Sequence, residues 1–274
     1  MRILEELAYA AQFAANQWQA ARLAGSEEEK NLWLYVRGQR DFVQETGQVY
    51  RFEDYLRALP ATAPPPKSAT LSARVDTASH RAMRLLLEAL QGAAHSPDQK
   101  RHAIVLLALL NFIADTGQSD DAEDYFNNRP ARAPLAIAHF RTRDEAEAWL
   151  KEIAEPPSPA AILIGDEYFL AWYSREDAAR GMYRDYILET HLEGLVAEGI
   201  PPSAPSFGTR AEAETWLASH PAAPYAFVSI SKEYYLAVHH ERLKRHTLHH
   251  VASTLKAWEE RKRGLERRDA RDSE

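Results

Sequence analysis

Part of this chain occurs twice, and that limits its fold more than any other feature. Residues 140–150 read FRTRDEAEAWL and residues 207–217 read FGTRAEAETWL, so eight of eleven positions are identical at a separation of 67. The likeness continues from AILIGDEYFLAWY at 161–173 to AFVSISKEYYLAV at 226–238. There the spacing shortens by one, and Ile164, Glu167, Tyr168, Leu170 and Ala171 match Ile230, Glu233, Tyr234, Leu236 and Ala237. Self-similarity of this kind marks one small unit made twice. Thr142 with Glu145, and Thr209 with Glu212, have the spacing of capping boxes that open a helix. Ala146, Trp149 and Leu150, like Ala213, Trp216 and Leu217, fall on one helical face. Two short runs rich in β-branched and aromatic residues follow in each copy. They are split by Gly165-Asp166 and by Ser231-Lys232, as in tight hairpins. The spacing predicts helix–strand–strand in each copy, with trailing helices over 175–198 and 240–268. A lone hairpin is marginal in water. The hairpins therefore either join in one four-stranded antiparallel sheet or form two modules packed on their own helices, with Trp149 and Trp216 buried in the first case.

Upstream, the apolar period is helical. Leu4, Leu7, Ala11, Ala14, Trp18 and Ala21 form a seam over 2–23. Ser26 and Glu29 suggest another capping box, for a helix ending near Gly47. A shorter helix is expected over 52–59, and others over 77–90, 97–115 and 120–126. Ser96-Pro97 is a favourable helix start. Ile104 to Leu110 is apolar all round, as in a central buried helix. LPATAPPPKSAT at 59–70 reads as a semi-rigid connection, and NNRPARAP at 127–134 as a linker. The expected class is α+β: an all-α domain over 1–128, a first α/β copy over 135–200, and a second over 201–274 with a C-terminal helix.

Composition narrows the function. The chain of 274 residues carries a net charge of −7 and no cysteine. Thiol nucleophiles, disulfides and thiolate metal sites are excluded. Charge is uneven: −3 over 1–130, −7 over 131–240 and +3 over 241–274. An acidic body argues against nucleic acid, which needs clustered Lys and Arg, and favours a basic protein partner. The longest apolar run, 103–114, is too short to span a bilayer. No export signal is visible at the N-terminus, so a cytoplasmic location is expected.

Few residues suggest chemistry. No phosphate-binding loop, nucleophile elbow or kinase signature is present. His246 and His250 have i,i+4 spacing for a shared metal on a helix, but the H-E-x-x-H motif is absent. We expect neither a resident metal nor a cofactor. Asp120, Asp121, Glu123 and Asp124 could meet a basic partner, or simply favour a helix N-terminus. Glu167-Tyr168 and Glu233-Tyr234 open the second strand of each hairpin. Strand alternation turns one member of each pair outward, giving two equivalent acidic–aromatic spots. Plain strand preference also explains both tyrosines.

The FxTRxEAExWL…P…Ile…Glu-Tyr…Leu-Ala pattern, over roughly 138–250, resembles a short tandem repeat of uncharacterised bacterial proteins. Some of these are associated with immunity proteins encoded beside polymorphic or contact-delivered toxins. The resemblance transfers no catalytic residue. It implies a non-enzymatic protein-binding protein that neutralises a cognate toxin by direct contact, with Asp120, Asp121, Glu123, Asp124, Glu167, Tyr168, Glu233 and Tyr234 as candidate partner contacts. The alternatives are a metal-dependent enzyme built around the late histidines and a self-associating scaffold.

Overall fold

The computed structural model describes residues 2–59, 77–92, 95–128, 133–222 and 224–272. The proline-rich connection at 60–70 and the centre of the 127–134 linker lie outside them. The chain forms two compact units, Met1–Pro130 with Pro157–Pro159, and Ala131–Pro156 with Ala160–Glu274.

The first unit is helical: α1 (Ile3–Leu23), α2 (Glu27–Glu45), α3 (Val49–Ala58), α4 (Ala78–Gln91), α5 (Pro97–Asp115) and α6 (Ser119–Asn128). Helix α5 is the buried centre, with Val105 to Ala114 covered. Ser96 accepts from the Gln99 amide while Gln99 returns a bond to the Ser96 N–H, a complete capping box. The expected box at Ser26 does not form, since its side chain caps nothing. The seam of α1 is also rotated from expectation. Ile3, Leu7, Ala10, Phe13, Ala14 and Ala21 are buried, while Leu4 is 44% exposed.

This unit has an internal correspondence of its own. FVQETGQVYRFEDYL at 42–56 and FIADTGQSDDAEDYF at 112–126 share Phe, Thr-Gly-Gln and Glu-Asp-Tyr at a separation of 70. The local geometry repeats as well. Thr46 and Thr116 donate to the Phe42 and Phe112 carbonyls at 2.6 and 2.7 Å. Gly47 and Gly117 adopt φ of 69° and 72°, the left-handed conformation that ends a helix. The Gln48 and Gln118 amides then close on the Val43 and Ile113 carbonyls at 3.0 and 2.9 Å. The two glutamines face each other, each Nε2 donating to the other's Oε1 at 2.8 and 2.9 Å. Packing follows the same exchange: α1 lies on α2 and α5, α4 on α5 and α2, α2 on α6, and α5 on α3. At the α2–α6 crossing a Cβ on Gly38 would stand 2.4 Å from the Phe126 ring, so only glycine permits that approach.

The second unit contains β1 (Ala136–Phe140), α7 (Arg143–Glu152), β2 (Ala160–Ile164), β3 (Glu167–Tyr173), β4 (Arg180–Arg184) and α8 (Ile187–Glu198). It continues with β5 (Ser206–Phe207), α9 (Arg210–Ser219), β6 (Tyr225–Ile230), β7 (Glu233–His240), β8 (Arg245–His250) and α10 (Val251–Asp272). The strands form two sheets, ordered β1-β2-β3-β4 and β5-β6-β7-β8. In each, the first two strands are parallel and the later pairs antiparallel. Register agrees as well: Ile164 faces Glu167 and Phe169 faces Arg184, as Ile230 faces Glu233 and Tyr235 faces His250.

Each sheet thus has four strands where the sequence suggested two. The opening strand precedes the capped helix, and the closing strand takes residues assigned to the trailing helices. RGMYR and RHTLHH carry too little apolar alternation to read as strands. Their pairing with β3 and β7 overrides that weak local signal. The Glu145 and Glu212 amides bond the Thr142 and Thr209 hydroxyls at 3.3 Å. The box closes reciprocally at Thr142, whereas the Glu212 carboxylate turns to the Gly208 amide at 2.8 Å and leaves Thr209 a simple N-cap. Both hairpin turns have positive φ, 62° at Gly165, and 51° and 71° at Ser231 and Lys232.

The outer face of the first sheet packs Ile162 and Ala171 on Ala146 and Leu150 of α7. The outer face of the second packs Val228, Ile230, Ala237 and Leu248 on Ala213 and Leu217 of α9. Between the sheets lies a shared core of Leu163, Tyr168, Leu236 and Val238, closed by Leu188 and Leu192 of α8 and Val251 of α10.

Reciprocal amides should be energetically coupled. A double-mutant cycle with Gln48→Ala and Gln118→Ala, measured by urea unfolding, should give a coupling of about 1 kcal/mol. Additive losses would show that the pair does not bind reciprocally.

Candidate functional site

The inner faces of the two sheets meet over only half of each. Alternation places Tyr168, Leu170 and Trp172 on the inner face of β3, with Tyr183 opposite Leu170 and Gly181 opposite Trp172. The matching positions of the second sheet are Tyr234, Leu236, Val238, His249 and Thr247. Their burial is reversed. Tyr168 is 2% exposed while Tyr234 is 39% exposed, and Val238 is fully buried while Trp172 is 37% exposed. Tyr183 is also exposed and His249 buried. The Tyr168 end of one sheet covers the Val238 end of the other.

The expected pair of equivalent acidic–aromatic spots is therefore absent. Tyr168 lies in the shared core, its hydroxyl donating to the Pro134 carbonyl at 3.3 Å. Only Tyr234 reaches solvent. The glutamates do correspond: Glu167 pairs with Arg184 at 3.0 Å, and Glu233 with His250 at 3.3 Å, at matched positions across each sheet. Asp120, Asp121, Glu123 and Asp124 sit in the first two turns of α6 in the helical unit, away from the aromatic pairs in sequence and unit. Asp120, Asp121 and Asp124 are exposed and Glu123 half-buried. Asp124 accepts from the Asn128 side chain at 2.7 Å. The Glu-Asp-Tyr at 123–125 matches 53–55, so part of this acidic run belongs to the shared pattern of the helical unit.

The late histidines are strand residues, not helix neighbours, because 245–250 forms β8. His246 stacks on His239 with ring centroids 4.6 Å apart, and its Nε2 accepts from the Ala222 amide at 3.2 Å. His250 instead bonds Ser253 at 2.7 Å. Among the described residues no three His, Asp or Glu side chains converge as a metal site would require.

Two other histidines form a buried network. The Thr247 hydroxyl lies 2.9 Å from His240 Nε2 and 2.8 Å from His249 Nε2. One hydroxyl can donate only once. One ring therefore receives its proton and the other donates to its oxygen. Tyr168 stacks obliquely on His240 at 5.5 Å, which joins this network to the shared core. Burial lowers both histidines to about 3, assisted at His240 by neighbouring His249 and at His249 by Arg210 and Arg184. Both rings are neutral at physiological pH.

A charged rim borders the core. Asp166, in the β2–β3 turn, meets Arg210 at 2.6 Å and Arg245 at 3.7 Å. Arg210 also pairs with Glu214 at 2.7 Å. Behind Asp166 lies a cavity of about 170 Å³ that reaches Arg184, Glu189 and His249. In front is an open groove of about 850 Å³ lined by His139, Arg141, Glu145, Gly165, Asp166, Arg210 and Arg245. His139 is held below the usual histidine value by desolvation and then by Arg245.

No motif announced the open aromatic face, the histidine–threonine network or the arginine groove. The alternation of Tyr168, Leu170 and Trp172 was visible, but which end of the face would be covered was not. The chain matches no family model, no curated protein and no solved structure. No helix among the described residues is long and apolar enough to cross a membrane.

Removing the shared hydroxyl should leave two buried imidazoles without their partner. Thr247→Val should cost about 2 kcal/mol in urea unfolding, with Thr247→Ser largely restoring stability; an unchanged midpoint for Thr247→Val would refute the network. The same rings set an acid response. Unfolded they titrate near 6.5, and folded near 3. Between those values the unfolded chain binds the extra protons, so stability falls as pH drops below about 6.5. His249→Gln should flatten that slope between pH 7 and 5, and an unaltered slope would contradict the assignment.

Proposed function

We propose that this chain is a non-enzymatic binding protein that neutralises a basic partner, a bacterial toxin, by covering it in the cytoplasm. The observation that carries the reading is the uncovered half of the first sheet's inner face. Leu170, Trp172 and Tyr183 form an apolar, aromatic surface there. Tryptophan and tyrosine are the usual anchors of protein interfaces. The indole is also held in place. A Cβ on Gly181 would lie 3.1 Å from three atoms of the Trp172 ring, so the ring packs closely over the bare Gly181 backbone of β4. Such preorganisation lowers the entropy cost of binding. The net charge of −7 over 131–240 would speed encounter with a basic partner. Tyr234 and Glu233 at the open end of the second sheet provide a second patch. The resemblance of 138–250 to repeats found in immunity proteins points the same way.

Duplication belongs to the same reading. We take the two sheets as copies of one strand–helix–three-strand unit with a trailing helix, and the helical unit as two copies of a three-helix unit.

Full-length protein immobilised at low salt, exposed to extract of its native cell, should retain a basic protein and inhibit that protein's activity. Trp172→Ala with Tyr183→Ala should weaken binding about a hundredfold or more without lowering the melting temperature. Failure to retain a basic protein, or retention indifferent to both substitutions, would overturn the proposal. Concentration-dependent self-association in light scattering, lost in the same variant, would favour a scaffold instead.

A further inference from the structure

The groove in front of Asp166 is rich in donors and short of acceptors. Arg141, Arg210 and Arg245 line it, against Asp166 and Glu145. Both carboxylates are already engaged. Asp166 Oδ2 takes Arg210 and its Oδ1 faces Arg245, while Glu145 accepts from the Arg141 and Thr142 backbone amides at 2.8 and 3.4 Å.

The guanidinium groups are largely unspent. Three of them present about fifteen N–H donors. Among the described residues these make two hydrogen bonds, from Arg210 to Glu214 and to Asp166. Arg141 is exposed, and no carboxylate among the described residues pairs with its guanidinium. Nε of Arg245 is buried with no hydrogen-bond partner. His139 lies on the same side of the sheet, opposite Leu163 of the shared core.

This rim is not simply part of the repeated scaffold. At the matching positions of the other copy, Arg141 is replaced by Gly208, Asp166 by Lys232 and Arg245 by Ala179. Arg210 is matched by Arg143, so one junction carries three arginines and the other a single one.

We propose that this groove is a binding site for a phosphoryl group carried by a small molecule, gripped by Arg141 and Arg245 with Arg210 behind them. Guanidinium groups match tetrahedral oxyanions in geometry and charge. The groove's volume of about 850 Å³ exceeds what phosphate alone fills and falls in the range of small-molecule sites. The Asp166 pairs hold Arg210 and Arg245 in place before the ligand arrives. The proposal is independent of the partner-binding face at Trp172.

Titration calorimetry of the full chain with adenosine 5′-monophosphate, inorganic phosphate and acetate, at constant ionic strength, tests it. Both phosphate probes should bind saturably at one site and acetate should not. The nucleotide should bind more tightly than inorganic phosphate; equal binding would overturn the small-molecule assignment and leave only a site for the free ion. Arg141→Ala should weaken the phosphate probes about tenfold or more with an unchanged melting temperature, because Arg141 bears no structural pair among the described residues. Arg245→Gln should weaken them likewise, and Arg141→Lys should restore part of the affinity. Absence of saturable binding at millimolar phosphate probe, acetate binding of equal strength, or affinity indifferent to both Arg141→Ala and Arg245→Gln would overturn the assignment.

Discussion

Much of the sheet unit depends on the apolar contact between the two inner sheet faces. Each sheet can bury one face on its own helix, α7 or α9, and is left with a second face that must be covered. Leu163, Tyr168, Leu236 and Val238 provide that cover for one another, with Leu188, Leu192 and Val251 from the trailing helices. Burying a large apolar side chain contributes roughly 1.5–3 kcal/mol, so this cluster holds the two sheets together more strongly than the ion pairs around it. Surface pairs such as Glu193 with Lys262 contribute little by comparison.

Because the contact covers opposite ends of two similar faces, it makes like residues unlike. The same Glu-Tyr pair gives a core tyrosine at 168 and a surface tyrosine at 234. The covered end of the second sheet carries Thr247, His240 and His249, polar groups that are satisfied only by one another and by their surroundings. A buried network of this kind is costly unless complete, which favours a single register between the sheets. The uncovered end of the first sheet carries Trp172 and Tyr183. The exposed aromatic surface lies where the two sheets differ.

Much of the secondary structure could be read from the sequence, because its causes are local. Ser96 and Thr142 cap their helices as their spacing implies, and the hairpin register follows from Gly165-Asp166 and Ser231-Lys232 at the turns. Strands β4 and β8 were not legible. Their residues are polar or mixed, and their conformation comes from pairing with β3 and β7. The Thr-Gly-Gln correspondence at 46–48 and 116–118 was legible in principle; its signal lies in three turn residues and scattered aromatics rather than in a continuous block. Which half of each sheet is covered depends on contacts between residues more than sixty positions apart, such as Tyr168 with His240, and no local pattern encodes that. The arginine groove is of the same kind, since Arg141, Asp166, Arg210 and Arg245 come from four separate segments.

Hydroxyl-radical footprinting of the full chain, read by mass spectrometry residue by residue, tests the half-overlap of the sheets most directly. The account requires rapid modification of Trp172, Tyr183 and Tyr234 and strong protection of Tyr168. Equal modification of Tyr168 and Tyr234 would mean that the two faces are covered alike, and would contradict it.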